Sequence, residues 1–187
     1  MKKFELTNEF ITNMFGTKLF RIRALVEFGD VEAGELGGYV EKESNLGHDD
    51  NAWVYDNAWV YGDAQVSGNV LVCGNALVYD NAWVYGNALV CGDARVCGNG
   101  DYAYAHGFGS VNRTTTFFRL KDGGVGVRCG CFYGTLAQFR DKIRETHGES
   151  AIAEEYLDLA ALMEKRFRRT GTEDRRRKLR RMFITQN

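Results

Sequence analysis

The densest chemistry in the chain is positive charge near its end. Residues 165–181 hold ten Lys/Arg against two Asp/Glu, a local +8 that leaves −9 in residues 1–164 and a formal total of −1. Lys and Arg at this density dock to phosphates, on nucleic acid or on an acidic protein surface, with an affinity that falls steeply as salt rises. The candidate binding residues are Arg168, Arg169, Arg175, Arg176, Arg177, Lys178, Arg180 and Arg181. On a helix the later six surround the axis, so they make no amphipathic membrane face, and the competing reading is a solvated tail that offsets the acidic body. Three His are available for proton transfer. His48 stands beside Asp49 and Asp50, which would orient an exposed imidazole, and is a candidate general base set against an ordinary solvated loop residue. Cys129 and Cys131 offer two thiolates, but zinc takes four ligands, so buried thiols compete with a metal role and no metal is expected.

These groups must be positioned by something, and a repeat supplies it. Eight six-residue units run from Asn51 to Gly98: NAWVYD, NAWVYG, DAQVSG, NVLVCG, NALVYD, NAWVYG, NALVCG and DARVCG. The second position is Ala seven times and Val once, and the fourth is always Val. Alternation in steps of two is a strand pattern, with Ala and Val inward and the third and fifth residues outward. Gly or Asp at the sixth position followed by Asn or Asp makes a corner every six residues. Short strands with such corners wind into a solenoid, since no single coil has a core of its own. At 18 residues per coil the 48 residues give 2.67 coils, about 13 Å of prism at ~4.8 Å per strand. Leu46 to Val54 is eight residues instead of six, so a two-residue bulge is expected at Gly47-His48-Asp49-Asp50. Eighteen-residue stacking predicts Val54, Val72 and Val90 in one inner column, and Asn57, Asn75 and Asp93 in one corner column whose amides can hydrogen-bond along the prism.

The units resemble the hexapeptide-repeat family, whose members form a left-handed parallel β-helix with three units per coil and associate as homotrimers along a prism face. Residues 19–46 (LFRIRALVEFGDVEAGELGGYVEKESNL) followed directly by the repeat, and residues 129–148 (CGCFYGTLAQFRDKIRETHG), resemble small phage- and prophage-encoded members of unassigned function. The resemblance implies the handedness, the homotrimer and residence in the cytoplasm of a bacterial host. Other members are CoA-dependent acyltransferases with a His base in a loop between subunits, or γ-type carbonic anhydrases with three zinc-binding His. Here no long loop interrupts the units, and the His are 58 and 41 residues apart.

Trp53, Tyr55, Trp59, Tyr61, Tyr79, Trp83 and Tyr85 all fall on outward positions of a stretch with five charged residues and no Lys. Such a surface is expected to be covered. Subunit packing, the chain's own flanks and an aromatic ligand are the three candidate covers, and the seven are read first as interface residues. The flanks are expected to cap the solenoid. Residues 18–28 alternate as a strand; residues 115–120 and 125–131 form a hairpin about Lys121-Asp122-Gly123-Gly124; Thr135 with Gln138 caps a helix stopped by Gly148; and Ile152, Tyr156, Leu159 and Met163 mark a second helix.

The expected fold is mainly β: a left-handed parallel β-helix of about three coils with an N-terminal β cap and a small C-terminal α+β domain. The boundaries are 1–39 for the cap, 40–104 for the solenoid, 105–169 for the hairpin and helices, and 170–187 for the basic tail. No apolar run approaches the ~18 residues of a membrane span, and Met1-Lys2-Lys3-Phe4-Glu5 opens no signal peptide. A cytoplasmic protein is expected, with five reduced Cys, although Cys73 and Cys91 lie one coil apart, stack outward and could cross-link under oxidation. Its expected function is non-catalytic: a phage-type homotrimer that binds a host protein, a nucleotide or nucleic acid through the basic tail or inter-subunit grooves, in counter-defence, with no cofactor and no membrane partner. The alternative is a CoA-dependent acyltransferase, which rests on fold analogy.

Overall fold

A computed structural model describes residues 1–109 and 111–184, with side chains to Thr170. It is mainly β, a β-solenoid of about three turns between an N-terminal hairpin and a C-terminal sheet with two helices.

The hairpin is β1 (Phe4–Thr12) and β2 (Lys18–Ala24), joined where the Asn13 Oδ1 accepts from the backbone N–H of Phe15 and Thr17, each at 2.9 Å. β3 (Leu36–Val40) runs antiparallel to β2 on one edge and parallel to the solenoid on the other, so it converts hairpin pairing into coil stacking. Gly37 makes that junction possible, because a Cβ there would lie 2.6 Å from the Val54 carbonyl oxygen and from Ile22 Cγ1.

Eight two-residue strands follow: β4 (Trp53–Val54), β5 (Trp59–Val60), β6 (Gln65–Val66), β7 (Leu71–Val72), β8 (Leu77–Val78), β9 (Trp83–Val84), β10 (Leu89–Val90) and β11 (Arg95–Val96). Each pairs in parallel with the strand 18 residues away, giving three faces: β3-β5-β8-β11, β4-β7-β10 and β6-β9. Val54, Val72 and Val90 form the expected column. Every fourth-position Val and every second-position Ala or Val of the units is buried in one core. The sixth positions Asp56, Gly62, Gly68, Gly74, Asp80, Gly86 and Gly92 have φ between 54 and 78°, the left-handed corner that Gly and Asp accept most readily. The amide ladder forms through Asn51, Asn69 and Asn87, whose side chains bond in sequence at 3.2 and 3.0 Å. In the Asn57, Asn75 column the coil-to-coil bonds are backbone ones, Asn57 N–H to Gly74 O and Asn75 N–H to Gly92 O.

The eight-residue step is a folded bulge. Asp50 turns back to accept from the N–H groups of Ala52 and Gly68. Lys3 is 3 % exposed and its ammonium donates to the carbonyls of Asp50 (2.7 Å) and Ala52 (2.8 Å), which fastens the first residues beneath the first coil.

The C-terminal hairpin is the middle of a larger sheet. β12 (Tyr102–Phe108), β13 (Arg113–Arg119), β14 (Val125–Cys129) and β15 (Phe132–Thr135) form an antiparallel meander in chain order. Adjacent residues of β13 point to opposite faces: Phe118 enters the solenoid core and Phe117 the helical core. One sheet thus caps the last coil and supports the helices. α1 (Leu136–His147) starts at Thr135, whose side chain accepts from Gln138 N–H while Gln138 accepts from Thr135 N–H, and stops at Gly148 with φ 58°. α2 (Ala151–Ile184) packs Tyr156, Leu159, Met163 and Phe167 against Phe139, Ile143 and Phe117. No helix among the described residues is long and apolar enough to cross a membrane.

One expectation about sulfur is corrected. Cys73 and Cys91 are joined as a disulfide with Cα atoms 4.6 Å apart, because 18-residue register places the two outward side chains directly above one another. Cys129 and Cys131 carry thiols, and the Cys97 thiol donates to the Asp101 carboxylate at 3.0 Å.

Candidate functional site

The seven outward aromatics meet different fates. Trp53 is fully buried: Phe4 and Phe28 of the N-terminal flank lie edge-on to it at 6.2 and 5.3 Å. Its reading as an interface residue is therefore corrected, since its cover comes from its own chain. Tyr55 is half-buried against the same core. Trp59, Tyr61 and Tyr79 are half-buried on the β5-β8 face, where Tyr61 and Tyr79 stack at 5.4 Å and 9°. Burial, with Cys97 and Tyr61 close by, pushes the Tyr79 hydroxyl well above its ordinary range. Trp83 and Tyr85 stay open, 52 and 47 % exposed, with rings 5.2 Å apart.

Trp83 opens β9 and Tyr85 directly follows it, and the outer edge of this strand meets the end of the repeat. No further coil supplies a backbone partner there, and side chains take over. Asn99 Oδ1 accepts from Trp83 N–H at 2.8 Å, and the Tyr102 hydroxyl donates to Trp83 O at 2.9 Å while accepting from Tyr85 N–H at 3.3 Å. Burial pushes the Tyr102 hydroxyl up to about 12, so it is a stable donor at neutral pH. Asn99 and Tyr102 hold the strand that carries the two rings. The sequence offers one clue to this role: Tyr102 continues the 18-residue column of Val66 and Val84.

Arg166 of α2 crosses this edge. Its Nη2 donates to the carbonyls of Asn99 (3.3 Å) and Tyr102 (3.4 Å), its Nε is buried without a partner, and among the described residues no carboxylate pairs with it. A cleft of about 200 Å³ opens between Arg166, Tyr85, Asn99, Tyr102 and Tyr104. On the other side of Arg166 a second hollow is lined by Lys165 and Arg169. The arrangement presents two exposed rings for stacking and a row of cations beside them.

The expected basic residues divide in the same way. Arg169 is exposed at that second hollow, whereas Arg168 is held by Glu164, which also accepts from Arg140 at 2.7 Å. The Arg140 hydrogen bond first, then its charge, keeps the Glu164 carboxyl below its usual range. Arg175, Arg176, Arg177, Lys178, Arg180 and Arg181 fall on the backbone of α2, and their side chains lie outside the described residues. Arg166 is singled out by its place beside Asn99 and Tyr102 and not by charge density, and Lys165 beside it lines the second hollow.

His48 lies at the opposite end. Its ring stacks on Phe4 at 4.4 Å and its Nδ1 accepts from Lys3 N–H at 3.2 Å, which places the ring proton of the neutral form on Nε2. The structure joins it to the N-terminal cap and not to the cationic row. Among the described residues no group of three His, Cys, Asp or Glu side chains is arranged to hold a metal ion.

No curated protein matches the chain. A family model described as the YdcK beta solenoid repeat matches residues 64–80 and 72–86, a stretch that spans β6 to β9. The matched residues and the 18-residue register of the strands agree in identifying the repeat as that of a β-solenoid.

Proposed function

We propose that the protein is a non-catalytic binding protein whose ligand is a nucleotide or a short single-stranded nucleic acid, held at the seam where β9, β12 and α2 meet. The observation that carries this reading is the exposed Trp83–Tyr85 pair beside Arg166, a cation that no carboxylate among the described residues neutralises. Bases stack on Trp83 and Tyr85; phosphates meet Arg166, Lys165 and Arg169 and continue onto the basic stretch of α2. The half-buried aromatic face of Trp59, Tyr61 and Tyr79 supports the homotrimer, since aromatic residues are enriched in interface cores. The resemblance of the flanks to phage-encoded hexapeptide-repeat proteins supports sequestration of a host nucleotide or nucleic acid as the biological setting, in counter-defence.

The test is a fluorescence titration of the full chain with nucleoside mono- and diphosphates and short oligonucleotides. Trp83→Ala and Tyr85→Ala should each weaken binding about tenfold, the worth of one stacked base. Arg166→Gln should reduce both the affinity and its salt dependence. Binding that is unchanged in all three variants overturns the reading. Light scattering should give about three times 21.1 kDa, and a monomer at micromolar concentration contradicts the trimer.

A further inference from the structure

A second cavity lies in the C-terminal unit, away from the seam and independent of the seam reading. It opens between the β14–β15 turn and the two helices, with a volume of about 280 Å³, close to the lower bound of ~300 Å³ for small-molecule pockets. Its floor is apolar, formed by the rings of Phe132 and Phe139 and by Ile143. These belong to the helical core, where interiors normally close without voids of this size.

The charged groups that converge on the cavity are of one sign. Arg113 and Lys142 bring positive charge, and among the described residues no Asp or Glu lines the space. Lys142 is exposed and bonds to Glu145 at 3.0 Å, outside the cavity. Arg113 has no carboxylate partner among the described residues, and its guanidinium lies directly over Gly130, where any Cβ would collide with it. Gly130, at φ 56°, therefore serves both the turn and the approach of Arg113.

The deep end is already satisfied. The Tyr156 hydroxyl donates to Phe108 O at 3.3 Å, Thr115 Oγ1 donates to Cys129 Sγ at 3.2 Å, and His147 stacks on Tyr156 at 6.0 Å. Burial, with the Cys129 sulfur next, pushes the Tyr156 hydroxyl up to about 12, so it stays a neutral donor. A ligand thus meets an apolar interior and two cations at the mouth, of which Lys142 is paired with Glu145 and Arg113 has no carboxylate partner among the described residues.

We propose that this cavity binds a small molecule made of an apolar body and one anionic head, the body on Phe139 and Ile143 and the head against Arg113 and Lys142. Charge complementarity commits the head to a carboxylate or a phosphate monoester, and the volume limits the body to about one ring or a short branched chain.

The experiment uses phenylacetate and benzyl phosphate, with phenylacetamide and benzyl alcohol as their neutral counterparts, on the full chain. At least one anion should raise the melting temperature saturably and slow alkylation of Cys129 and Cys131 by iodoacetamide, read by peptide mass; the neutral compounds should do neither. The stronger of the two anions identifies the head group. Arg113→Gln and Lys142→Gln, both at exposed positions, should each cut the preference for the anion about tenfold without changing the circular dichroism. Neutral compounds that bind as well as the anions, no response to any of the four, or an anion preference that survives both substitutions overturns the proposal.

Discussion

Trp53 and Trp83 begin in the same local sequence, Asn-Ala-Trp-Val-Tyr, and occupy the same outward position of their units. One is fully buried and the other 52 % exposed. The difference lies in the ends of the solenoid. At the first coil the N-terminal flank folds its own apolar side chains over Trp53, Phe4 from the hairpin and Phe28 from the segment after it, and is fastened by Lys3. At the last coil the cover is polar and partial: Asn99 and Tyr102 satisfy the edge of β9 and leave the rings of Trp83 and Tyr85 in solvent. A repeat decides which residues point outward. What lies beyond the repeat decides which of those are stability and which are available surface.

The comparison can be broken most decisively at Trp53. Trp53→Ala should cost about 3–5 kcal/mol in urea unfolding, the range for a fully buried aromatic, whereas Trp83→Ala should stay within ~0.5 kcal/mol. Equal losses would mean that the two ends are not closed differently. Next in size is the Cys73–Cys91 link, which closes an 18-residue separation. Its reduction should cost at most about 3 kcal/mol, less than the loss of Trp53, because the coils remain stacked by backbone hydrogen bonds.

Tyr102→Phe leaves the Trp83 carbonyl and the Tyr85 N–H without their partner and should cost about 1–2 kcal/mol. It should also loosen ligand binding at the seam. A loss of stability with unchanged binding would separate the edge closure from the site. The last effect is a pH dependence. Tyr102 and Tyr156 are raised to about 12 in the folded chain from an ordinary 10, so the unfolded chain releases these protons first as pH rises. Their contribution is complete below pH ~10 and is lost between ~10 and ~12. In Tyr102→Phe the alkaline decline should be shallower, checked by urea midpoints across that range.

Much of the solenoid is legible in the sequence because each coil repeats one environment. Val at the fourth position, Ala at the second and Gly or Asp at the sixth report core and corner eight times over, and a register of 18 follows from three corners. The register also makes Cys73 and Cys91 neighbours, yet compartment chemistry argues for reduced thiols, and proximity decides otherwise. Cover is not legible in this way. Phe4 and Phe28 carry no period, and nothing local to Trp53 distinguishes it from Trp83. The outer strands of the meander are missed for a related reason: β12 reads Tyr-Ala-Tyr-Ala-His-Gly-Phe, with small residues where a strand usually shows β-branched ones, and β15 is four residues that end in a helix cap. Of the seam, Trp83 and Tyr85 are visible as outward aromatics, while Arg166 looks like one cation among ten until the fold lays it across Asn99 and Tyr102.

The most direct test of the account is acrylamide quenching in two single-tryptophan variants, Trp53 alone and Trp83 alone with the remaining tryptophans changed to Phe, each with and without a short oligonucleotide. Trp53 should be shielded under both conditions, and Trp83 should be readily quenched in the free protein and protected once the oligonucleotide binds. A Trp83 already as shielded as Trp53 in the free protein, or one whose quenching the oligonucleotide leaves unchanged, would contradict it.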